Sequence, residues 1–275
     1  MMDSIADVSD RSIAQLLSLA GRSAVVTGAA QGLGKGIARR LAEAGANVVI
    51  GDINGQLADA TAADLDARYP GRVIATRMDV SDSASVSAAA HVAISEFGGV
   101  DIWVNNAGVF PHVPLTDMTD ETWEQVFAVN TRGTFLGSRE AARQMKARGH
   151  GGVIVNIASL AGLRAISPGL GAYVSSKHAV VGMTKQMGLE LAGDRIRVLA
   201  VCPSFMVTEG NLALMQQQAP EMMEQAAEAI PSMLSSKLGR VGVPDDIARA
   251  VLFCASDMAI FMTGSAIVVD AGEIA

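Results

Sequence analysis

Residues 23–34 read Ser-Ala-Val-Val-Thr-Gly-Ala-Ala-Gln-Gly-Leu-Gly and combine a short apolar run with a cluster of glycines. The apolar run at 23–26 has the composition of a buried strand, and a helical pattern follows from Gly34 to about Ala44. A strand, a glycine turn and a helix start together form an anion-binding site, because backbone N–H groups point outward there and glycines let a phosphate approach. The stretch therefore predicts a dinucleotide-binding unit, with an ordinary tight turn as the alternative.

Strands and helices alternate along the rest of the chain. Further apolar runs predict strands at residues 47–50, 72–78, 100–104, 153–158, 197–201 and 266–269. This alternation predicts a parallel sheet with helices on both faces, so the expected fold class is α/β, a Rossmann-like doubly wound sheet of seven strands. No composition break divides residues 21–275, which we expect to form one domain after an N-terminal extension at residues 1–20.

Composition limits the classes of function. Half of the 275 residues are hydrophobic and 18% are charged, which excludes a disordered chain. The net charge is −7 without a basic stripe, so we expect no nucleic-acid partner. No apolar run approaches the roughly 18 residues of a membrane helix, and residues 1–20 do not follow the pattern of a signal peptide. Cys202 and Cys254 fit no metal spacing and are typical of a reducing compartment, which predicts a cytoplasmic protein without a metal.

Two helical patterns leave alternatives open. Ile13, Leu16 and Leu17 recur at helical spacing, and the short helix that they predict packs either on its own domain or on a neighbouring subunit. Residues 119–148 predict one long helix with Asn130 inside an apolar stretch. A buried asparagine needs hydrogen-bond partners, so Asn130 either ties this helix to a neighbouring strand or holds a water near the site.

Tyr173 and Lys177 are four residues apart in the helical pattern of residues 170–191, so they share one helix face. A nearby cation favours the phenolate, and Lys177 is therefore expected to lower the tyrosine pKa from its usual value of roughly 10. Ser159 follows the predicted strand at 153–158, and α/β sheets present their chemistry at strand ends. Such a Tyr-x-x-x-Lys pair is more often part of a solvated helix, but the neighbouring motifs favour a proton-transfer site.

Asp52 follows the second predicted strand, 24 residues beyond Gly28. An acid at this distance is placed to hydrogen-bond the adenosine ribose, and it would repel a 2′-phosphate. Gln31 is neutral and no cation closely follows Asp52, so NAD is expected rather than NADP. The alternative is that Asp52 caps the helix predicted at residues 54–69.

Together these residues resemble the short-chain dehydrogenase/reductase family over residues 21–273. The resemblance implies that Tyr173 is the general acid/base, that Lys177 lowers its pKa and binds the nicotinamide ribose, and that Ser159 polarises the substrate carbonyl. It also implies that Asn130 holds a water that links Lys177 to solvent. The matching motifs, in chain order, are Thr27-Gly28-x-x-x-Gly32-x-Gly34, Asp79, Asn105-Asn106-Ala107-Gly108, Asn130, Ser159 and Tyr173-x-x-x-Lys177.

The resemblance further implies a cofactor site for NAD. Its glycines would hold the pyrophosphate, Asp52 the adenosine ribose, Asp79 and Val80 the adenine, and Thr208 the nicotinamide. Members of the family are commonly tetramers, so a homotetramer is expected. The full set of expected cofactor-binding residues is Gly28, Gln31, Gly32, Leu33, Gly34, Asp52, Ile53, Asp79, Val80, Asn106, Ala107, Gly108, Tyr173, Lys177, Pro203, Ser204, Met206 and Thr208.

Two positions depart from the family pattern. Ser204 follows Pro203 where the family usually has glycine, which is expected to alter how the following segment approaches the nicotinamide. Ala271 lies between Asp270 and Gly272 in place of a glycine, and this change is expected to affect subunit packing more than chemistry.

Residues 204–238 are rich in Met, Gln and Ala and predict a helical lid over the substrate, with a core insertion or an interface patch as alternatives. We expect a neutral, hydrophobic secondary alcohol or ketone, of a cyclic, aromatic or terpenoid kind, because no pair of cations is placed to hold an anion. Arg164 and Lys237 stay candidates for that role, and His112 is more typical of a surface loop. The expected pocket wall comprises Phe110, Pro111, His112, Leu160, Leu163, Phe205, Met206, Met215, Met222, Met223 and Met233.

Two other functions stay open. One is an NADPH-dependent reductase of 3-oxoacyl groups on an acyl carrier protein, which Asp52, Gln31 and the acidic net charge disfavour. The other is a nucleotide-binding protein without catalysis. The intact set of Ser159, Tyr173 and Lys177 disfavours this second alternative.

Overall fold

The computed structural model describes residues 5–209 and 236–275. Seven strands form one sheet in the order β3-β2-β1-β4-β5-β6-β7, and every neighbouring pair is parallel. This confirms the predicted doubly wound α/β fold. The strands are β1 (Ser23–Thr27), β2 (Asn47–Asp52), β3 (Val73–Arg77), β4 (Ile102–Asn105), β5 (Gly152–Ile157), β6 (Ile196–Pro203) and β7 (Ala266–Val269).

Helices connect the strands and cover both faces of the sheet. In the described residues, none of them is long and apolar enough to cross a membrane. The α-helices are α1 (Ile13–Leu17), α2 (Gly32–Glu43), α3 (Gly55–Arg68), α4 (Ser83–Phe97), α5 (Asp120–Phe127), α6 (Gly133–Arg148), α7 (Gly171–Leu191) and α8 (Pro244–Ala255). Short 3-10 turns lie at Leu115–Asp117, Leu160–Gly162, Ala192–Asp194 and Asp257–Ala259.

The central strands are buried on both faces, which is why their sequences are continuously apolar rather than alternating. In β1, Ala24 and Val26 face the core formed with α2, α3 and α8, whereas Val25 faces the core formed with α4 and α6. In β4, Trp103 points into the second core and its neighbours Ile102 and Val104 into the first. Successive side chains therefore hold the two helix layers on opposite faces of one sheet.

The long helix predicted at residues 119–148 is wrong in one respect. A five-residue π-helical segment, Ala128–Arg132, separates α5 from α6, and the Gly133 N–H donates to the Ala128 carbonyl. Asn130 lies in this segment and is fully buried. A π-helical turn holds one residue more than an α-helical turn, and the pattern of apolar residues is nearly the same with and without it. The pattern therefore does not predict the bulge.

The N-terminal segment contacts its own chain, but Ile13 is exposed and Leu16 and Leu17 are half-buried in it, so both packing alternatives from the sequence stay open. Helix α1 begins with a capping box between Ser12 and Gln15. Arg11 and Arg22 both form ion pairs with Asp257, in the 3-10 turn after α8. Leu19 is fully buried in the first core. Residues 5–20 are thus attached to the amino edge of the sheet.

Strand order determines where a ligand can bind. The strands β1 and β4 are neighbours, and the chain connections run away from this pair in opposite directions. In such sheets a crevice opens beyond the carboxyl ends of the two strands at that point. The loops after β1 and β4, residues 28–31 and 106–108, therefore face each other at the predicted site. Most of the proposed lid, residues 210–235 with Met215, Met222, Met223 and Met233, lies outside the described residues.

Ala271 provides a test of backbone strain. Its φ is 52°, a left-handed conformation that glycine adopts without the clash of a Cβ. We expect Ala271→Gly to raise the free energy of unfolding by about 0.5–1 kcal/mol, measured by urea denaturation. The matched change Ala266→Gly in β7 should lower it by a similar amount, since glycine weakens a strand. Destabilisation by both substitutions would contradict the assignment of strain to Ala271.

Candidate active site

Ser159 and Tyr173 meet at the carboxyl end of β5. Ser159 lies two residues beyond the end of that strand, and its hydroxyl accepts the N–H of Ala161 at 3.1 Å. Tyr173 lies in the first turn of α7, and the Ser159 side chain is close enough to its phenol to lower the pKa of the phenol. The two hydroxyls can therefore reach the same substrate oxygen, one as a proton carrier and one as a second hydrogen-bond partner.

Lys177 lies one helical turn beyond Tyr173 and is 5% exposed. Its Nζ donates to the carbonyl of Ile157 at 2.8 Å, so the last residue of β5 holds the ammonium in place. The same nitrogen is 5.7 Å from the centre of the Tyr173 ring. The predicted face-sharing of the phenol and the amine is present in the structure.

Burial governs the electrostatics of the pair. It raises the pKa of Tyr173, and the Ser159 side chain offsets this only in part. Burial also lowers the pKa of Lys177 to about 8, so the amine loses part of its charge near that pH. Desolvation acts on both groups in this way because both side chains lie in the same low-dielectric space. That Lys177 lowers the tyrosine pKa stays a prediction.

Asn130 joins three parts of the site. Its Nδ2 donates to the Val109 carbonyl at 2.8 Å and to the Ser176 hydroxyl at 3.0 Å, and its Oδ1 accepts the Val109 N–H at 2.8 Å. The π-helical segment is thus tied to the loop after β4 and to α7. Both amide hydrogens of Asn130 are already donated, and one lone pair of its Oδ1 already accepts a hydrogen bond. The side chain could therefore hold a water only through the second lone pair of Oδ1.

The loops after β1 and β4 are bonded to each other. The Thr27 hydroxyl accepts the N–H groups of Asn106 and Ala107 at 2.9 and 3.0 Å. The Asn106 amide donates to the carbonyls of Thr27 and Gly28, both at 2.9 Å. Gly28 has a φ of 61°, and a Cβ there would lie 2.8 Å from the Cα of Ala107. Only glycine fits this contact, and Asn106 acts on the glycine loop rather than presenting a free amide.

The other glycine-loop residues form the start of α2. Gly32 begins the helix, and Gln31 precedes it as an exposed residue whose side chain makes no capping hydrogen bond. Leu33 packs against the first core, so its backbone and not its side chain faces the crevice. Gly34 is buried against the Gly28 carbonyl and the Asn106 amide. The helix N-terminus therefore faces the crevice through its backbone, as an anion site requires.

Asp52 ends β2 and supports the glycine loop. Its carboxylate accepts the Ala30 N–H at 3.1 Å and the Asn54 N–H at 3.0 Å. The alternative that Asp52 caps the next helix is wrong, because Asn54 caps α3 by accepting the Leu57 N–H. Ile53 is 62% exposed beside Asp52. The acid thus lies next to the glycine loop at the edge where an adenosine would lie.

Asp79 and Val80 follow β3 at the same edge. The Asp79 carboxylate accepts both the N–H and the hydroxyl of Ser81, and these bonds lower its pKa. Val80 packs against Gly133 at the start of α6, where a Cβ would come within 2.9 Å of its Cγ2. Both residues border the crevice on the β3 side.

Residues 203–209 leave the sheet after β6. The Ser204 N–H donates to the Val269 carbonyl at 3.2 Å, directly after Pro203. The Met206 side chain is 5% exposed and packs in the first core against Gly242. The backbone bridge between Met206 and Gly242 accompanies this inward packing, and the place of Met206 in the pocket wall stays a prediction. Thr208 lies beside Gly32, 3.5 Å from the position of a Cβ there.

Exposed apolar side chains lie on the loops near the carboxyl ends of β4, β5 and β6. Phe110 is edge-on to the Tyr173 ring, with centroids 6.0 Å apart. The exposed members of the group belong to loops after β4, β5 and β6, and they are Phe110, Leu163, Ile166 and Phe205. Leu160 is fully buried, and its place in the pocket wall stays a prediction. His112 packs against Gly169 on an exposed loop, and Pro111 precedes it.

Known proteins match this geometry along nearly the whole chain. A family profile described as enoyl-(acyl carrier protein) reductase matches residues 28–273. A 3beta-hydroxysteroid dehydrogenase 2 of Eggerthella lenta is 38% identical over 92% of this chain and 95% of its own length. The chain belongs to the short-chain dehydrogenase/reductase family. Members of this family are oxidoreductases that use a nicotinamide cofactor.

Other members of the short-chain dehydrogenase/reductase family differ in their named substrates. A D-threitol dehydrogenase of Mycolicibacterium smegmatis is 38% identical, covering 92% of this chain and 93% of its own. A 3-oxoacyl-(acyl-carrier-protein) reductase FabG of Thermotoga maritima is 35% identical, covering 94% and 100%. A crystal structure of a short-chain type dehydrogenase/reductase from Mycobacterium marinum has a TM-score of 0.86 and 34% identity, covering 96% and 99%.

The residues at the crevice fit a nicotinamide dinucleotide. The N-terminus of α2 supplies backbone donors for a pyrophosphate, and Gly28 keeps the loop after β4 close to it. A Cβ on Gly108 would lie 3.7 Å from the Lys177 amine and 3.3 Å from the Asn130 Oδ1. The glycine thus keeps space open between the cofactor crevice and the proton-transfer residues.

Three contacts were not foreseen from the sequence. Thr27 anchors the loop after β4, and Ser176 accepts from Asn130 and donates to the Tyr173 carbonyl at 2.7 Å. Glu209 accepts the Gly32 N–H at 3.3 Å, at the helix N-terminus expected to bind phosphate. Thr27 and Ser176 lie inside the motifs identified above, so a hydroxyl at these positions could have been considered as a hydrogen-bond partner. Glu209 is distant in sequence from Gly32, so no local pattern pointed to it.

Lys177 should make the stability of the protein depend on pH. Its pKa is about 8 in the fold, below the ordinary value of 10.5, so between these values the unfolded chain binds more protons at this site. The free energy of unfolding should then rise with pH across this window, by roughly 3 kcal/mol in full. Below about pH 8 the buried amine is charged, so the full cost of burying that charge lowers the free energy of unfolding.

The measurement compares urea denaturation of the wild type and of Lys177→Met from pH 7.5 to 10, below the range where Tyr173 titrates. The wild type should gain stability relative to the variant as the pH rises. Lys185→Met, at an exposed position of the same helix, should keep the wild-type dependence. Parallel curves for wild type and Lys177→Met would contradict the lowered pKa of Lys177.

Proposed function

We propose that the protein transfers a hydride between NAD(H) and a neutral, hydrophobic secondary alcohol or ketone, with Tyr173 as general acid/base. The observation that carries this proposal is the arrangement of Ser159, Tyr173 and the buried Lys177 at the carboxyl end of β5. A binding protein has no need of two hydroxyls that converge on one point above a buried amine.

The proton chemistry follows from the site. Bound NADH would supply the hydride to the carbonyl carbon of the substrate. In that direction the Tyr173 phenol donates its proton to the carbonyl oxygen, and its raised pKa keeps the proton available at neutral pH. The Ser159 hydroxyl hydrogen-bonds the same oxygen and stabilises the developing charge. In the oxidative direction the phenol takes the alcohol proton, which requires the phenolate and therefore favours alkaline pH.

Asp52 supports NAD over NADP. Its carboxylate is fixed at the end of β2 by the N–H groups of Ala30 and Asn54. A fixed negative charge at the adenosine edge accepts hydrogen bonds from ribose hydroxyls and repels a 2′-phosphate. The neighbouring Ile53 and Gln31 carry no charge to offset that repulsion.

The surroundings of Tyr173 support a hydrophobic substrate. Phe110, Leu163, Ile166 and Phe205 are exposed apolar side chains grouped on loops at one edge of the sheet. Such a wall selects by shape, with the two hydroxyls as polar anchors. The steroid dehydrogenase relative agrees with this class of substrate, whereas the equally similar threitol dehydrogenase does not. Sequence identity to relatives therefore does not distinguish the two substrate classes, and the proposal depends on the residues of the pocket.

A second candidate is an NADPH-dependent reductase of 3-oxoacyl groups on an acyl carrier protein. The FabG relative of Thermotoga maritima favours it. The carboxylate of Asp52 and the net charge of −7 oppose it, because the carrier and the 2′-phosphate are both anionic. We also propose a cytoplasmic homotetramer. The free thiols of Cys202 and Cys254 support the first part, and the family resemblance supports the second.

Tyr173→Phe tests the mechanism. The phenylalanine keeps the ring but removes the proton, so kcat with NAD and a panel of hydrophobic secondary alcohols should fall about 10²- to 10⁴-fold. Binding of NADH, followed by fluorescence, should persist. Tyr69→Phe is the matched control, since Tyr69 follows α3 far from the site. Equal activity in the wild type and Tyr173→Phe would contradict the mechanism, and cofactor binding without any turnover in the wild type would favour a non-catalytic protein.

Asp52→Asn tests the cofactor preference. Asparagine retains an oxygen that can accept the Ala30 N–H but loses the charge, so the ratio of kcat/KM with NADP to that with NAD should rise about tenfold. Asp79→Asn removes a carboxylate on the adenine side and should affect both cofactors alike. A wild type that prefers NADP would show that Asp52 has been misinterpreted.

A further inference from the structure

The two cations that the sequence offered for an anionic substrate are both attached to the C-terminal tail, residues 270–275. Arg164 forms an ion pair with Glu273, with 3.1 Å between nitrogen and oxygen. The backbone N–H of Lys237 donates to the Ala271 carbonyl at 2.8 Å. Lys237 also packs on Gly272, where a Cβ would lie 3.2 Å from its Cγ.

The tail is held in a fixed turn that places Glu273. The Asp270 carboxylate accepts the N–H groups of Gly272 and Ile274 at 2.9 and 3.0 Å. The Ala271 backbone is left-handed, and the Glu273 N–H donates to the Asp270 carbonyl at 3.2 Å. These bonds fix the backbone on both sides of Glu273, whose side chain is 20% exposed.

The ion pair lies on the substrate side of the proton-transfer residues. Arg164 lies five residues beyond Ser159, in the loop after β5, and its N–H donates to Leu160 at 3.1 Å. Glu273 follows β7, and β6 lies between these two strands. The pair therefore spans the point where the chain leaves β6 at Ser204. The predicted cofactor crevice lies at β1 and β4, on the other side of β5, so the proposal places the substrate on the Arg164 side of Tyr173.

We propose that Glu273 determines substrate specificity: by neutralising Arg164 at the substrate entrance, it makes the site select neutral over carboxylated substrates. This inference rests on the proposed function and adds to it a residue outside the proton-transfer set. Arg164 is 47% exposed, so the ion pair contributes little to stability. Its effect on a ligand is larger, because a released guanidinium binds a carboxylate through two parallel hydrogen bonds.

The test uses a pair of probes that differ in charge and little in shape: 4-oxo-4-phenylbutanoate and its methyl ester. With NADH present, Glu273→Gln should raise kcat/KM for the acid about tenfold and change that for the ester less than twofold, as expected for one unit charge at this range. The gain should shrink at high salt. It should disappear in the double variant Arg164→Gln/Glu273→Gln.

Two further experiments distinguish a failure of this proposal from a failure of the proposed function. In a Tyr173→Phe background, calorimetric dissociation constants with NADH present should show the same tenfold preference without turnover. Glu43→Gln is the matched control, since it breaks the Arg40–Glu43 ion pair at the C-terminal end of α2 with the same change in charge.

Each result decides the proposal. Equal effects of Glu273→Gln on acid and ester, or the same gain in Glu43→Gln, would overturn it. So would a gain that persists in the double variant, or a failure of both probes to bind any variant. A preference seen in binding but not in turnover would keep Glu273 in its role and overturn the proposed reaction instead.

Discussion

A chain of buried side-chain hydrogen bonds through the sheet sets the position of the helix that carries the site. Asn105 on β4 donates to Ser138 on α6 and to Asn156 on β5, at 2.9 and 2.8 Å, and Asn156 donates to Thr184 on α7 at 2.9 Å. The Trp103 indole completes the set by donating to Asn105 at 2.8 Å. In a dry interior an unpaired amide is costly, so these bonds permit essentially one placement of α6 and α7. Tyr173 and Lys177 take their positions from that placement.

Burial of the amine gives this placement its chemical consequence. Lys177 reaches the Ile157 carbonyl because α7 packs on β6 and on the 3-10 turn Leu160–Gly162 that follows β5. Desolvation brings its pKa to about 8, near the working range of an enzyme, while the phenol above it is shifted the other way. The ordinary pKa values of the two groups, 10.0 and 10.5, are nearly equal, so these opposite shifts move them apart: the phenol holds its proton more tightly and the amine less tightly. For the proposed proton transfer, exclusion of water therefore matters as much as charge.

The sequence predicted what depends on local pattern and failed where contacts are distant. All seven strands were found because each is an apolar run bounded by turns, and the glycine loop was found because Gly28 and Gly34 have no tolerable substitute. The π-helical bulge at Asn130 and the inward turn of Met206 were missed, since both depend on partners far along the chain, Ser176 and Gly242. The rise of the tyrosine pKa through burial was also not predicted, because burial is a property of the whole fold.

The two sides of the proposed site are built by different means. On the proposed cofactor side, the side chains of Thr27, Asn106 and Asp52 form hydrogen bonds with the backbone of neighbouring loops. Most substitutions at these three positions would break such a bond. On the substrate side, exposed loop residues such as Phe110 and Ile166 meet few fixed partners. A change there alters the shape or charge of the pocket without disturbing the sheet. Substrate specificity can therefore change while the geometry of Ser159, Tyr173 and Lys177 stays constant. We expect the residues that determine it to lie in the loops after β4, β5 and β7.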